Sequence, residues 1–187
     1  MEQGNPNTWH TPNILTGARF AAVPVLVVLL LFPGKAVSGM AALVFLLAGA
    51  TDFLDGFLAR RQRLVSRWGK FMDPLADKLL VSAGLIMLIP LGRAPAILAL
   101  IIIGREIAVT GLRALAAAEG IILAPDRWGK VKTTLQMAAL TALILHYPYG
   151  GVDFHALGLI LLWLAVVITI TSGAGYFVAF FRHSPPA

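Results

Sequence analysis

Apolar runs about as long as a bilayer is thick fill this chain almost end to end, with charge largely at their ends. A bilayer core of about 30 Å takes about 20 apolar residues per helix. The 187 residues are 58% hydrophobic and only 13% charged, a balance far from that of a soluble domain. About six such spans fit, and they leave little for anything else. The chain is therefore predicted to be an all-α integral membrane protein, with one membrane domain over residues 1–187.

The predicted transmembrane helices cover about Asn13–Phe32, Val37–Arg60, Pro74–Ile89, Ala94–Ala118, Lys132–Leu145 and Phe154–Phe181. Pro24 is expected to kink the first, and Pro74 suits a first helical turn. Pro33-Gly34, Pro90-Leu91-Gly92 and Pro148-Tyr149-Gly150-Gly151 read as turns between spans. Met1–Thr11 is polar, with no basic segment followed by an apolar one, so no cleaved signal peptide is expected. There is no cysteine, which excludes disulfides and thiolate metal ligands.

Lys and Arg set the expected orientation. Arg60, Arg61, Arg63, Arg67 and Lys70 fall between the second and third spans, and Arg127, Lys130 and Lys132 between the fourth and fifth. Arg19 and Arg182 belong to the same side, whereas the opposite side has only Lys35 and Arg93. The positive-inside rule puts both termini and the basic links in the cytoplasm. With a rise of about 1.5 Å per residue, Asp52, Asp55, Asp73 and Asp77 then lie in the inner leaflet. Arg113 is near the cytoplasmic end of its helix and Arg105 is deeper. These groups are expected to converge on one cavity at the cytoplasmic side of the inner membrane.

Ionisable residues inside spans are costly and mark functional sites by default. Asp52, Asp55, Gly56 and Ala59 recur at i, i+3, i+4 and i+7, which is one helix face. Asp73 and Asp77, at i and i+4, share another face. Four carboxylates so close repel one another and resist ionising together. Divalent cations held by oxygen ligands remove that penalty. All-oxygen ligands favour magnesium or manganese over zinc, and a metal pair suits phosphoryl chemistry. Gly56 and Ala59 keep the space beside the acids open, and Arg60 can meet a phosphate with a bidentate fork.

The pattern D-x2-D-G-x2-A-R-x8-G-x3-D-x3-D, from Asp52 to Asp77, resembles the signature of the CDP-alcohol phosphatidyltransferases at every fixed position. The rest of the chain resembles one branch of that family, the phosphatidylglycerophosphate synthases. The similar stretches are Pro12-Asn13-Ile14-Leu15-Thr16 through Arg19, Gly104-Arg105-Glu106 with Arg113, and Trp128 to Met137. The resemblance implies that Asp52, Asp55 and Asp73 hold two divalent cations, Mg2+ or Mn2+. Asp77 would bind or neighbour a metal and act as the catalytic base. Gly56, Ala59, Arg60 and Gly69 would form the CDP-diacylglycerol pocket. The implied reaction joins CDP-diacylglycerol to sn-glycerol 3-phosphate, giving phosphatidylglycerophosphate and CMP. A homodimer among membrane lipids is implied, and no nucleic-acid partner.

A dianionic acceptor phosphate needs several cations, and Arg105, Arg113, Lys130 and Lys132 are placed to supply them. Phosphatidylglycerol, as in a cardiolipin synthase, or an inositol phosphate are the competing acceptors. Blander readings stand beside these. The aspartates can form a structural network with Lys78, Arg105 and Arg113. Arg61, Arg63 and Arg67 can simply set topology or meet anionic headgroups. Glu106 either pairs structurally with Arg105 or Arg113 or supports the acceptor site. Arg19 either snorkels or contacts ligand. His10, His146, His155 and His183 follow no ligand spacing. Gly158, Gly173 and Gly175 read as helix-packing positions, and Trp68, Trp128 and Trp163 as interfacial or packing anchors. A cation transporter would need polar or broken helices through the midplane, which the near-featureless outer halves do not offer. A non-catalytic relative of the enzymes would be expected to have lost a signature aspartate, and none is lost.

Gly56→Leu is expected to fill the space beside Asp52 and Asp55 and to raise the KM for CDP-diacylglycerol steeply while the fold is retained. Unchanged donor kinetics would put the donor pocket on another face.

Overall fold

The computed structural model describes residues 11–32, 34–62, 67–121 and 127–183, with side chains described except at 11–16, 52–71, 73–74, 127 and 183. Six helices follow in order: α1 (Thr11–Leu31), α2 (Lys35–Gln62), α3 (Arg67–Leu88), α4 (Ala96–Ala118), α5 (Arg127–Leu145) and α6 (Phe154–His183). Every predicted helix is present. Two begin more than a full turn earlier than expected. α3 starts at Arg67, so Pro74 lies within it rather than opening it, at the expense of one backbone bond to the carbonyl four residues back. α5 starts at Arg127, so Lys130 is helical rather than part of a link and Lys132 lies in the second turn rather than at the helix start. Both early turns are amphipathic, and an apolar-run criterion passes over them. α1 runs through Pro24.

The chain divides into two compact units, Met1–Gly84 and Leu85–Ala187. In the first, the short turn after Leu31 brings α2 back along α1. Leu26 and Leu30 of α1 are buried, as are Ala41, Ala42, Phe45 and Ala48 of α2. Small residues at 41, 42 and 48 let the two helices approach, with Phe45 filling the space between. Val25, Val28, Leu43 and Leu47 are apolar yet exposed. Helices that are hydrophobic on every side need an apolar surrounding.

In the second unit α6 packs against both α4 and α5. Its inward face reads Leu162, Ala165, Val166, Thr169, Ser172 and Phe180, all buried. That face is apolar toward the start of α6, polar in the middle and apolar again at Phe180. Phe180 packs with Leu112 and Ala116 of α4, and Ile121 and Tyr176 close over them. α4 ends there in a Schellman cap. Ile121 N–H donates to the Ala116 carbonyl at 2.8 Å, Gly120 N–H donates to the Ala117 carbonyl at 3.2 Å, and Gly120 holds φ +74°.

The α5–α6 turn is fixed by its own chemistry. Gly150 and Gly151 take φ +58° and +81°, which matches the tight hairpin turn that the Tyr149–Val152 bridge closes. The Asp153 carboxylate caps α6 by accepting from the His155 and Ala156 N–H groups at 2.9 and 3.0 Å. Buried Arg93, from the α3–α4 turn, donates to the Ile144 carbonyl at 2.9 Å and so caps the end of α5. The sequence reading used Arg93 only to set topology. Here it is a buried structural residue. His146 stacks edge-on with His155 at 4.8 Å. Burial first, then Arg93 and His155, hold its imidazole below the ordinary histidine range, with Asp153 opposing.

Hydroxyl groups in the helices fold back onto their own backbone. Thr110, Thr141 and Thr171 donate to the carbonyls of Glu106, Met137 and Val167 at 2.6, 2.8 and 3.0 Å. Each of these hydroxyls thereby finds an acceptor within its own helix.

Gly158 marks the closest approach of α5 and α6. A Cβ there would come within 2.7 Å of Leu143 Cγ and 2.9 Å of its backbone nitrogen. The backbone atom cannot swing aside, so Gly158→Val is expected to cost about 1–3 kcal/mol. Thermal unfolding of the purified protein in detergent checks this. An unchanged midpoint would contradict it.

Candidate functional site

The signature falls on the last turns of α2 and the first turns of α3, within the first unit. α2 is helical from Asp52 to Gln62, and α3 from Arg67 past Asp77. The backbone is helical at Asp52, Asp55, Asp73 and Asp77, the condition under which the i, i+3 and i, i+4 spacings apply. The side chains of Asp52, Asp55, Gly56, Ala59, Arg60, Gly69 and Asp73 lie outside the described residues. Asp77 is half-buried. The donor set consists of carboxylate oxygens only, which fits a hard divalent cation.

One described side chain bears directly on this segment. Arg19 is 1% exposed, so it does not snorkel. Its Nε donates to the Ala48 carbonyl at 3.2 Å. Thr51 Oγ donates to the same oxygen at 2.6 Å. Ala48 lies one helical turn before Asp52, so α1 grips α2 at the base of its acidic face.

The second unit holds a polar cluster inside otherwise apolar packing. Arg105 and Glu106 come from α4, Lys132 and Gln136 from α5, and Thr169 and Ser172 from α6. Lys132 is only 5% exposed, and Gln136, Thr169 and Ser172 are buried with it. One oxygen of Glu106 accepts from both cations, from Arg105 Nη1 at 3.3 Å and from Lys132 Nζ in a very short contact. Arg105 Nη2 donates to Ser172 Oγ at 2.9 Å. Ser172 Oγ donates to the Thr169 carbonyl at 3.3 Å, and Gln136 Nε2 donates to Thr169 Oγ1 at 3.3 Å. The Arg105 guanidinium lies 5.7 Å from the Tyr176 ring centre, in cation–π range.

Gly173 makes room for this arginine. A Cβ there would sit 3.1 Å from Arg105 Cγ and 3.3 Å from its Nε. The expected packing role of Gly173 therefore extends to seating a charged side chain. Arg105 Nε is buried with no hydrogen-bond acceptor. Two cations thus share one carboxylate oxygen, while the Gln136 amide is taken by Thr169.

Of the four expected acceptor-site cations, Arg105 and Lys132 meet in this cluster. Arg113 and Lys130 are exposed. Helix geometry explains the split. Positions two apart on a helix do not face the same way, so Lys130 and Lys132 diverge once α5 is helical through both. On α4, Leu112 takes the buried position beside Arg113. Glu106 pairs with Arg105, as one reading held, and also with Lys132. Gln136, Thr169, Ser172 and Tyr176 were not anticipated. Their signal was present in the spacing: Gln136 lies one turn beyond Lys132, and Thr169, Ser172 and Tyr176 follow i, i+3, i+7.

Comparison with known proteins agrees with the signature. Residues 9–171 match the CDP-alcohol phosphatidyltransferase family. A Bacillus subtilis protein named CDP-diacylglycerol–glycerol-3-phosphate 3-phosphatidyltransferase is 43% identical over 182 residues, covering 90% of this chain and 94% of the relative. A Rickettsia typhi protein of the same name is 41% identical over 171 residues, covering 91% of this chain and 96% of the relative. A Mycobacterium tuberculosis protein named probable phosphatidylglycerophosphate synthase is 35% identical, covering 92% of this chain and 82% of the relative.

Proposed function

Because the chain belongs to the CDP-alcohol phosphatidyltransferase family, we propose that it transfers the phosphatidyl group of CDP-diacylglycerol to sn-glycerol 3-phosphate. The products are phosphatidylglycerophosphate and CMP. The observation that carries the acceptor is the meeting of two cations, Arg105 and Lys132, with the buried Arg105 Nε lacking an acceptor. A phosphate dianion can supply one, and charge-assisted bonds of this kind are the strong ones.

The residues divide the work. Arg105 and Lys132 hold the acceptor phosphate. Asp77 takes the proton from an acceptor hydroxyl, in a general-base role. The freed oxygen bonds the β-phosphorus of the donor, the bond from that phosphorus to the bridging oxygen breaks, and CMP leaves. Gly56, Ala59, Arg60 and Gly69 accommodate the CDP group. Asp52, Asp55, Asp73 and Asp77 hold a pair of divalent cations, Mg2+ or Mn2+, which would take up the negative charge that grows on the leaving group.

The same reading places the chain in the cell membrane, as a multi-pass protein with its termini and reaction on the cytoplasmic side and as a homodimer. Support comes from the apolar outer faces, the self-satisfied hydroxyls and one helical stretch, Phe154–Arg182, long and apolar enough to cross a bilayer by itself. Gly17–Leu31 and Lys35–Thr51 are shorter apolar helices. The asymmetry of Lys and Arg supports the orientation.

The direct test supplies purified protein with CDP-diacylglycerol and, separately, glycerol 3-phosphate, glycerol, inositol phosphate and phosphatidylglycerol, reading CMP release. Glycerol 3-phosphate is expected to be preferred and glycerol to be poor. Preference for phosphatidylglycerol or for inositol phosphate would overturn the acceptor while leaving the donor chemistry in place.

A further inference from the structure

We infer that Glu106 is a positioning residue for the acceptor phosphate, setting the spacing of the two cations that grip it. The inference rests on the reading of Arg105 and Lys132 as the acceptor site.

Arg105 and Lys132 enter the cluster from different helices on long, flexible stems. Each carries about 2 kcal/mol of rotamer entropy when free. Left alone in a buried place, two like charges repel and spread. Here a single oxygen, Glu106 Oε1, accepts from both. Two nitrogens bonded to one oxygen lie within about 6 Å of each other. One phosphate group can span that separation with two of its oxygens.

The rest of the cluster fixes the same geometry from the other side. Ser172 takes Arg105 Nη2, Tyr176 lies near the guanidinium, and Gly173 leaves space for its stem. Arg105 is thus held on three sides, and Glu106 links its position to that of Lys132. Arg105 Nε is left without an acceptor, so the guanidinium keeps a donor for a phosphate oxygen. A site set in advance in this way spares the substrate the cost of ordering it. Glu106 need not touch the acceptor. It acts through Arg105 and Lys132.

Steady-state kinetics on the full chain in detergent test this, with each substrate varied in turn. Glu106→Gln keeps the shape and removes the charge. It is expected to raise the KM for glycerol 3-phosphate about tenfold or more, the loss typical of one charge-assisted contact. The KM for CDP-diacylglycerol should be unchanged, which also reports that the fold is intact. Glu106→Asp should recover part of the acceptor affinity. In a Lys132→Met background, Glu106→Gln should add less than it does alone, because one of the two cations whose spacing it sets is already gone.

A lowered acceptor KM in Glu106→Gln would show the carboxylate to be a competitor of phosphate and overturn the inference. An equal rise in both substrates' KM would show a general structural role and overturn it too. Should Glu106→Gln fail to fold, Glu106→Asp decides: wild-type acceptor kinetics there would contradict positioning. Arg105→Met and Lys132→Met separate the two levels. If neither raises the acceptor KM, the acceptor site itself is misplaced. If both do and Glu106→Gln does not, only the role of Glu106 fails.

Discussion

A charge placed among apolar helices has to be answered within a few ångströms, and the structure is organised around how it answers them. Burying an unpaired ion costs several kcal/mol even after relaxation. Arg105, Lys132 and Glu106 meet that demand together, with one carboxylate oxygen shared between two cations. The answer leaves a donor over, since Arg105 Nε has no acceptor. An imbalance of this kind is poor design for stability alone. It suits a site whose missing acceptor arrives with a substrate.

Two other buried arginines bind backbone carbonyls. Arg93 is spent on the carbonyl end of α5 and Arg19 on the carbonyl of Ala48. Both lock one helix to a neighbouring segment through a backbone carbonyl, and Arg93 also lies over the Tyr147 ring. The guanidinium suits this use, because it stays ionised and presents several donors in a fixed fork. The same four-residue period governs the apolar core and the polar cluster. On α6 one face carries Leu162, Ala165 and Val166 and, one turn later, Thr169 and Ser172. The helix contacts that place the site are thus continuous with those that stabilise the unit.

Helix identity could be read from the sequence because each apolar run is long, and the turn at Gly150-Gly151 because two adjacent glycines admit few alternatives. The starts of α3 and α5 could not be read the same way. Their first turns are amphipathic, with Trp128 and Val131 exposed beside buried Lys132, so a search for apolar runs begins too late. That error had a functional cost. Treating Lys130 as part of a link and Lys132 as the helix start let both point toward the acceptor, whereas a helix separates them. The signature aspartates were visible because their spacing repeats on a helix face. The partners of Arg105 were harder to see, since Ser172 lies 67 residues away and only tertiary packing joins them.

The carboxylate faces of α2 and α3 carry the chemistry on which the proposal depends, and counting bound Mn2+ on the purified protein by electron paramagnetic resonance tests them most directly. Wild-type protein is expected to bind a saturable pair of ions per chain. Asp52→Asn and Asp73→Asn should each weaken or abolish that binding, while Lys132→Met leaves it intact. Saturable binding that survives both aspartate substitutions, or no saturable binding to the wild type with CDP-diacylglycerol present, would contradict a metal-dependent transferase built on these residues.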